Sequence, residues 1–238
     1  MAVWTPDGRS IVFNRDLASQ LFRRPADRPG ADELLLASGG GVRIPTSVSP
    51  DGTLLVFHEY ARAANAAPDL MALRLDAGRS EPLLRTPADE RDGEISPDGR
   101  WLAYDSTVSG RAEVYVRPFP NVSDGAVQVS VDGGRTPVWA HGGRELFFVD
   151  GTRMMAAAIS ATPEFAAERT TVLFDDPSLL LDARSFSTGA HRTFDVSRDG
   201  QRFLVLKDSR STDDDTVAAG VIVVQNWFTE LRQQVPTP

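Results

Sequence analysis

Along this chain short runs of consecutive apolar residues recur, and each is entered through the same polar turn. The runs lie at residues 11–13, 54–57, 101–104, 146–149 and 203–206. They are continuous rather than alternating, which suits strands covered on both faces. The turns before them share one phrase, clearest at Ile95-Ser96-Pro97-Asp98-Gly99-Arg100. It stands again at Trp4-Thr5-Pro6-Asp7-Gly8-Arg9 and Val48-Ser49-Pro50-Asp51-Gly52-Thr53. Altered copies are Trp139-Ala140-His141-Gly142-Gly143-Arg144 and Val196-Ser197-Arg198-Asp199-Gly200-Gln201. Pro at the second turn position suits type I geometry, and Gly takes the left-handed site that a Cβ would penalise. A type I turn followed by such a residue closes a three-residue hairpin loop. Each phrase therefore joins two antiparallel strands.

The repeated Asp, with Gly142 in its place in the fourth copy, recurs at intervals of about 44, 47, 44 and 57 residues. A period near 45 leaves room for two more strands per repeat and matches a four-stranded propeller blade. Third strands are expected at 70–75, 113–116, 154–159 and 221–224, with one around Leu21 and Phe22 in the first repeat. Fourth strands are expected at 33–37, 82–84, 127–131 and 171–174, and the fifth repeat shows none. The fold class is all-β, a β-propeller of about five four-stranded blades, with a closed ring and an open arc both left standing. The repeats divide the single domain 1–238 at about 1–45, 46–92, 93–134, 135–190 and 191–238. A short C-terminal helix is expected at 227–234, where Trp227, Phe228 and Leu231 share one side.

The phrase resembles the Pro-Asp-Gly repeat of TolB-like propellers, found also in prolyl oligopeptidase relatives. The last hundred residues are similar to the C-terminal propeller of bacterial eukaryotic-like Ser/Thr protein kinases. That likeness rests on Pro137-Val138-Trp139, Glu145-Leu146-Phe147-Phe148, Arg153-Met154-Met155, Phe194-Asp195-Val196-Ser197 and the ending Val223-Val224-Gln225-Asn226-Trp227-Phe228. The resemblance implies a signalling role as the sensory part of such a kinase. The chain departs from that family in lacking kinase motifs and a membrane anchor.

Composition narrows the partners. The net charge is −8, from 25 Lys and Arg against 33 Asp and Glu. An acidic protein gains nothing from counterion release at phosphates, so nucleic acid is not an expected partner. No run is long and apolar enough for a transmembrane helix, and the N-terminus enters a turn without the features of a signal peptide. The expectation is a cytoplasmic chain with no membrane insertion, or an extracytoplasmic one if it is a piece of a membrane-anchored kinase. With no Cys, disulfides and thiolate metal sites are excluded.

The search for chemistry assigns no catalytic, cofactor-binding or metal residue, and no cofactor. There is no Gly-x-Ser-x-Gly elbow and no kinase Gly-rich loop, His-Arg-Asp or Asp-Phe-Gly. His58, His141 and His191 are scattered, with His141 in a turn. The glycines of 38–41 read as an inter-blade loop, the Ala-rich 58–68 as a helical turn in a blade loop, and Asp213, Asp214 and Asp215 as a solvated loop. The extra residues at 179–191 are the least generic stretch, since propeller loop insertions gather on a binding rim. Asp7, Asp51, Asp98 and Asp199 have a turn role, while Arg9, Arg100 and Arg144 are expected over neighbouring blades. The two chain ends are not expected to interlock in one blade. An arc would expose strand edges and an apolar blade face, and so favour self-association.

The functional expectation is a non-catalytic scaffold or sensor that binds a protein, peptide or small ligand. The alternative is a propeller hydrolase or lyase with a site at the channel mouth. Acids and histidines converging from separate repeats favour that alternative.

Overall fold

The computed structural model describes residues 1–15, 19–28, 30–39, 41–61, 67–161, 164–177, 192–206 and 221–224, the last as backbone only. All regular structure among them is β. The expected C-terminal helix, the 179–191 stretch, His191 and the three aspartates at 213–215 lie outside the described residues.

The chain divides into two compact units, Met1–Trp139 and Ala140–Pro238. The first unit holds three four-stranded sheets, each a meander of consecutive strands. The first sheet comprises β1 (Ala2–Trp4), β2 (Ser10–Arg15), β3 (Gln20–Pro25) and β4 (Glu33–Leu36). The second comprises β5 (Val42–Val48), β6 (Leu54–Tyr60), β7 (Asp69–Arg74) and β8 (Arg79–Leu84). The third comprises β9 (Glu90–Ile95), β10 (Trp101–Ser106), β11 (Glu113–Pro118) and β12 (Val127–Gln128). The unit ends on β13 (Arg135–Trp139). In the second unit β14 (Glu145–Asp150), β15 (Arg153–Ser160) and β16 (Ala166–Asp175) pair in order, and so do β17 (Phe194–Val196), β18 (Phe203–Leu206) and β19 (Val221–Val224). Four-stranded antiparallel meanders of this kind are the blades of the TolB-like β-propeller fold.

Each sheet is begun by the repeated turn. In all five copies the Gly N–H reaches back to the carbonyl three residues before it, at 2.8–2.9 Å. The five glycines, Gly8, Gly52, Gly99, Gly143 and Gly200, have φ between 66° and 73°, the left-handed region. The aspartate has a larger part than its tolerance of turn geometry suggests. Ser96 Oγ donates to Asp98 Oδ1 at 2.6 Å, and Asp98 accepts from Arg100 N–H at 3.1 Å. Ser96 Oγ also accepts from Trp101 N–H at 3.0 Å. Thr5 with Asp7, Ser49 with Asp51 and Ser197 with Asp199 repeat this relay. The fourth copy has Ala140 and Gly142 instead and keeps only the backbone bonds.

Adjacent sheets in the first unit share their cores, as the continuous apolar runs require. Val3, Val12, Leu21 and Leu35 of the first sheet pack on Leu55, Phe57, Met71 and Leu73 of the second. The other face of the second sheet, Val56, Leu70 and Leu84, packs on Ile95, Leu102, Tyr104 and Tyr115 of the third. In the second unit Phe147 meets Phe203 edge to face at 5.1 Å. The second sheet thus has a leading face toward the preceding repeat and a trailing face toward the next, and the two terms are used for the matching faces of the other sheets. Close approach between the second and third sheets is allowed by Gly93: a Cβ there would stand 2.9 Å from Val56 Cγ1.

Three expectations change in detail. The fourth strand of the third sheet shortens to Val127–Gln128, while β16 extends to Ala166–Asp175. His58 and Tyr60, expected in a helical turn, instead finish β6. Arg100, expected over a neighbouring blade, folds back on its own turn, with Nε donating to Asp98 Oδ2 at 2.7 Å.

Candidate functional site

Strands β6 and β10 leave the repeated turns, while β9 and β13 run toward them. The ends of β6 and β10 and the starts of β9 and β13 therefore share the side of the first unit opposite the turns. Here the apolar runs give way to polar residues: His58 and Tyr60 from β6, Arg91 and Asp92 from β9, Asp105 from β10, Arg135 and Thr136 from β13. His58 and Asp105 are buried, and Arg91 and Asp92 nearly so.

The groups form a connected set. Thr136 Oγ1 donates to Asp92 Oδ2 at 3.2 Å, and Thr136 N–H donates to Asp105 Oδ1 at 3.3 Å. Thr136 thus bridges the two carboxyl groups. Asp92 N–H donates to His58 Nδ1, 3.4 Å away. The Asp92 carboxylate lies 3.8 Å from the same nitrogen. The Tyr60 ring stands edge-on to His58, centroids 5.3 Å apart, and Arg91 lies over it with Cζ 5.1 Å from the centroid. Arg91 also donates to Asp89 at 2.6 Å.

Burial, and then the negative charge of Asp92, push the Asp105 carboxyl well above the usual carboxylate range. The neutral form of Asp105 is thereby favoured over the charged one. Burial also raises the Tyr60 phenol, and it outweighs the opposing pull of Arg91. Asp92 and Thr136 both have φ of 51° and occupy matching places, four residues before the turn-opening residue of their repeats. For a β-branched Thr this is strained backbone, of the kind that persists where surroundings over-determine it. Among the described residues, the Tyr60 hydroxyl, Arg91 Nε and Arg135 Nη1 are buried without a hydrogen-bond partner.

Two concavities lie elsewhere among the described residues, and their acidic groups are occupied by structure. A crevice of about 330 Å³ lies between the first two turns, lined by Thr5, Pro6, Asp7, Arg23, Pro50 and Asp51, whose aspartates serve the turn relay. A shallow one of about 520 Å³ lies beside Arg111, Glu113 and Gln128, where Glu113 is occupied by Ser130, Gly133 and Arg111. Near the glycine loop, Arg43 is buried, donates to the Ala37 and Ser19 carbonyls at 2.6 and 2.9 Å, and pairs with Glu59 at 2.6 Å. A Cβ on Gly39 would collide with that guanidinium, so the loop's glycine serves packing. His141 stands in its turn. No group of three or more His, Asp or Glu among the described residues is arranged to hold a metal ion. No described helix is long and apolar enough to cross a membrane.

No family model and no curated protein matches the sequence. Solved structures do match. TolB from Acinetobacter baumannii aligns with a TM-score of 0.67 at 17% identity, over 87% of this chain and 48% of that one. A structure attributed to TolB from Agrobacterium tumefaciens aligns at 0.58 and 18% identity, over 72% and 63%. An oligogalacturonate lyase in complex with manganese aligns at 0.63 and 14% identity, over 89% and 59%. The fold is TolB-like. The chain spans about half to two thirds of the length of these structures.

Sequence reasoning missed the polar cluster because its members lie in separate repeats and form no motif. The available signal was a break in the apolar runs at matching places: His58 and Asp105 follow the runs of the second and third repeats at the same offset from their turns.

Proposed function

We propose that this chain is a non-catalytic TolB-like propeller module that binds a peptide or small ligand presenting a carboxylate. The observation that supports this reading is the set of three donors without partners, Tyr60 hydroxyl, Arg91 Nε and Arg135 Nη1, gathered at one side of the first unit. A carboxylate supplies the acceptors that such donors require, and its hydrogen bonds from arginine are charge-assisted. The strained Thr136 backbone next to Arg135 fits a recognition site. The test is thermal unfolding with a tetrapeptide library, offered as free acids and as C-terminal amides. A bound ligand at a hundred times its Kd stabilises the folded state by about 2.7 kcal/mol. Free acids should raise the Tm of the wild type and leave Arg135→Gln unchanged. Equal behaviour of acids and amides, or of wild type and variant, contradicts the proposal.

A second reading, a propeller lyase or hydrolase, is favoured by one observation: two carboxyl groups, Asp105 and Asp92, bridged by Thr136 beside His58. Two carboxyl groups in different states can serve as acid and base. Turnover of oligogalacturonate that is lost in Asp92→Asn supports this reading, and no turnover contradicts it. Attachment to a bacterial Ser/Thr kinase as its sensory part is supported by the C-terminal sequence pattern, and an adjoining kinase reading frame in the same gene is its test.

A further inference from the structure

We propose that the leading face of the first sheet docks the trailing face of the last sheet of a second copy of this chain, head to tail. Cross-strand register places Ala2, Phe13, Phe22 and Leu34 in one row of the leading face, and Trp4, Ile11 and Arg24 in the next. Trp4 is 62% exposed and Leu34 50%. Counting from the repeated turn, Ile11 and Phe13 match Leu55 and Phe57, which are fully buried against the trailing face of the first sheet. The same residue types at the same places thus form a fully buried core in one sheet and are only half-buried in the other.

The chain carries the matching face as well. In the last sheet Leu204 takes the place held by Val12 and Val56 on trailing faces, yet it is 42% exposed, and Leu206 on the same face is 45% exposed. The interface already formed between the second and third sheets supplies the template. There Val56, at Leu204's place, shares a core with Ile95, at Trp4's place. There too, Ile95 N–H donates to Ser47 Oγ at 3.0 Å. Asp195 occupies the place of Ser47 in the last sheet, and its side chain is exposed.

The charges are complementary. Arg15 and Arg24 lie over the Phe13–Phe22 pair, with Arg15 Cζ 4.7 Å from the Phe22 ring and Arg24 Cζ 5.4 Å from the Phe13 ring. Both share one acid of their own sheet, Asp32. The Asp195 carboxylate of a second copy, which lies 3.4 Å from its own Arg192, arrives beside Trp4 and adds an anion to a face with two cations. The contact joins unlike faces, so it is heterologous and continues from copy to copy unless a ring closes.

The test uses the absence of cysteine. Trp4→Cys and Leu204→Cys are made in separate molecules and treated with a short bis-maleimide, alone and mixed, so that a mixed product is intermolecular by construction. Light scattering of the wild type over a range of concentrations is the second readout. The expected results are a mass that rises with concentration above 25.9 kDa, and cross-linking of the mixture in excess of either variant alone. Trp4→Glu and Leu204→Glu, both at exposed positions, should each weaken association roughly tenfold or more without changing the far-ultraviolet spectrum. A constant mass of 25.9 kDa overturns the proposal. So does a Trp4→Cys product as abundant alone as in the mixture, which would mark a symmetric contact.

Discussion

The hydroxyl–carboxylate relay in the turns and the buried Asp105 carboxyl at the opposite side have opposite signs with pH. Hydrogen bonds from Thr5, Ser49 and Ser197 hold Asp7, Asp51 and Asp199 below the ordinary carboxylate value. At Asp98 burial works against this, and the bonds from Ser96 and Arg100 prevail. A folded value below the unfolded one gives stability that is complete above the unfolded value and lost as pH falls. Asp51→Ala should therefore lower the Tm at neutral pH, with the difference closing as pH falls below about 4. Asp105 is raised, so its folded state binds the proton more tightly, and stability declines as pH rises from the ordinary value through the raised one. Asn in its place can donate to Asp92 and accept from Thr136 N–H. Asp105→Asn should fold, be at least as stable as wild type at pH 8, and lose that decline in a pH series of unfolding midpoints. The fourth turn offers a converse test. Gly142 has open space where a Cβ would stand. The double substitution A140S/G142D rebuilds the relay and should raise stability by about 1 kcal/mol per new bond in denaturant titration.

At the scale of the strand and sheet, the packing of faces decides the cost of change. Phe57 is buried against the trailing face of the first sheet, and Phe57→Ala should cost about 3–5 kcal/mol. Gly93→Val drives a side chain into Val56 and Leu70 and should cost about 1–3 kcal/mol. The strands themselves were legible: the turn phrase marks where each hairpin begins, and the runs at 54–57 and 101–104 announce burial on both faces. Strand ends were less so. The 127–131 segment has apolar alternation, but only Val127 and Gln128 pair with β11. The irregularities of register in β5 and β9 were invisible, because a bulge is set by what lies across from it. In β9 that is Ala103 and Asp105, with the shift falling between them.

At the scale of the whole molecule, one hairpin design, repeated and packed face to face, accounts for both what the sequence displayed and what it concealed. The repeat announces itself because every copy needs the same turn chemistry. The polar cluster does not, since His58, Asp92, Asp105 and Arg135 come from three repeats and meet only once the sheets are stacked. Which residues form the proposed docking faces followed from comparing exposure at matching places. Amide hydrogen exchange, followed strand by strand in the intact chain, tests the stacked-sheet account most directly. The slowest exchange in the first unit should fall in β6, β7, β10 and β11, which are central in their sheets and covered on both faces, with β4, β8 and β12 opening earlier. Protection that is greatest in β4, β8 and β12 would contradict it.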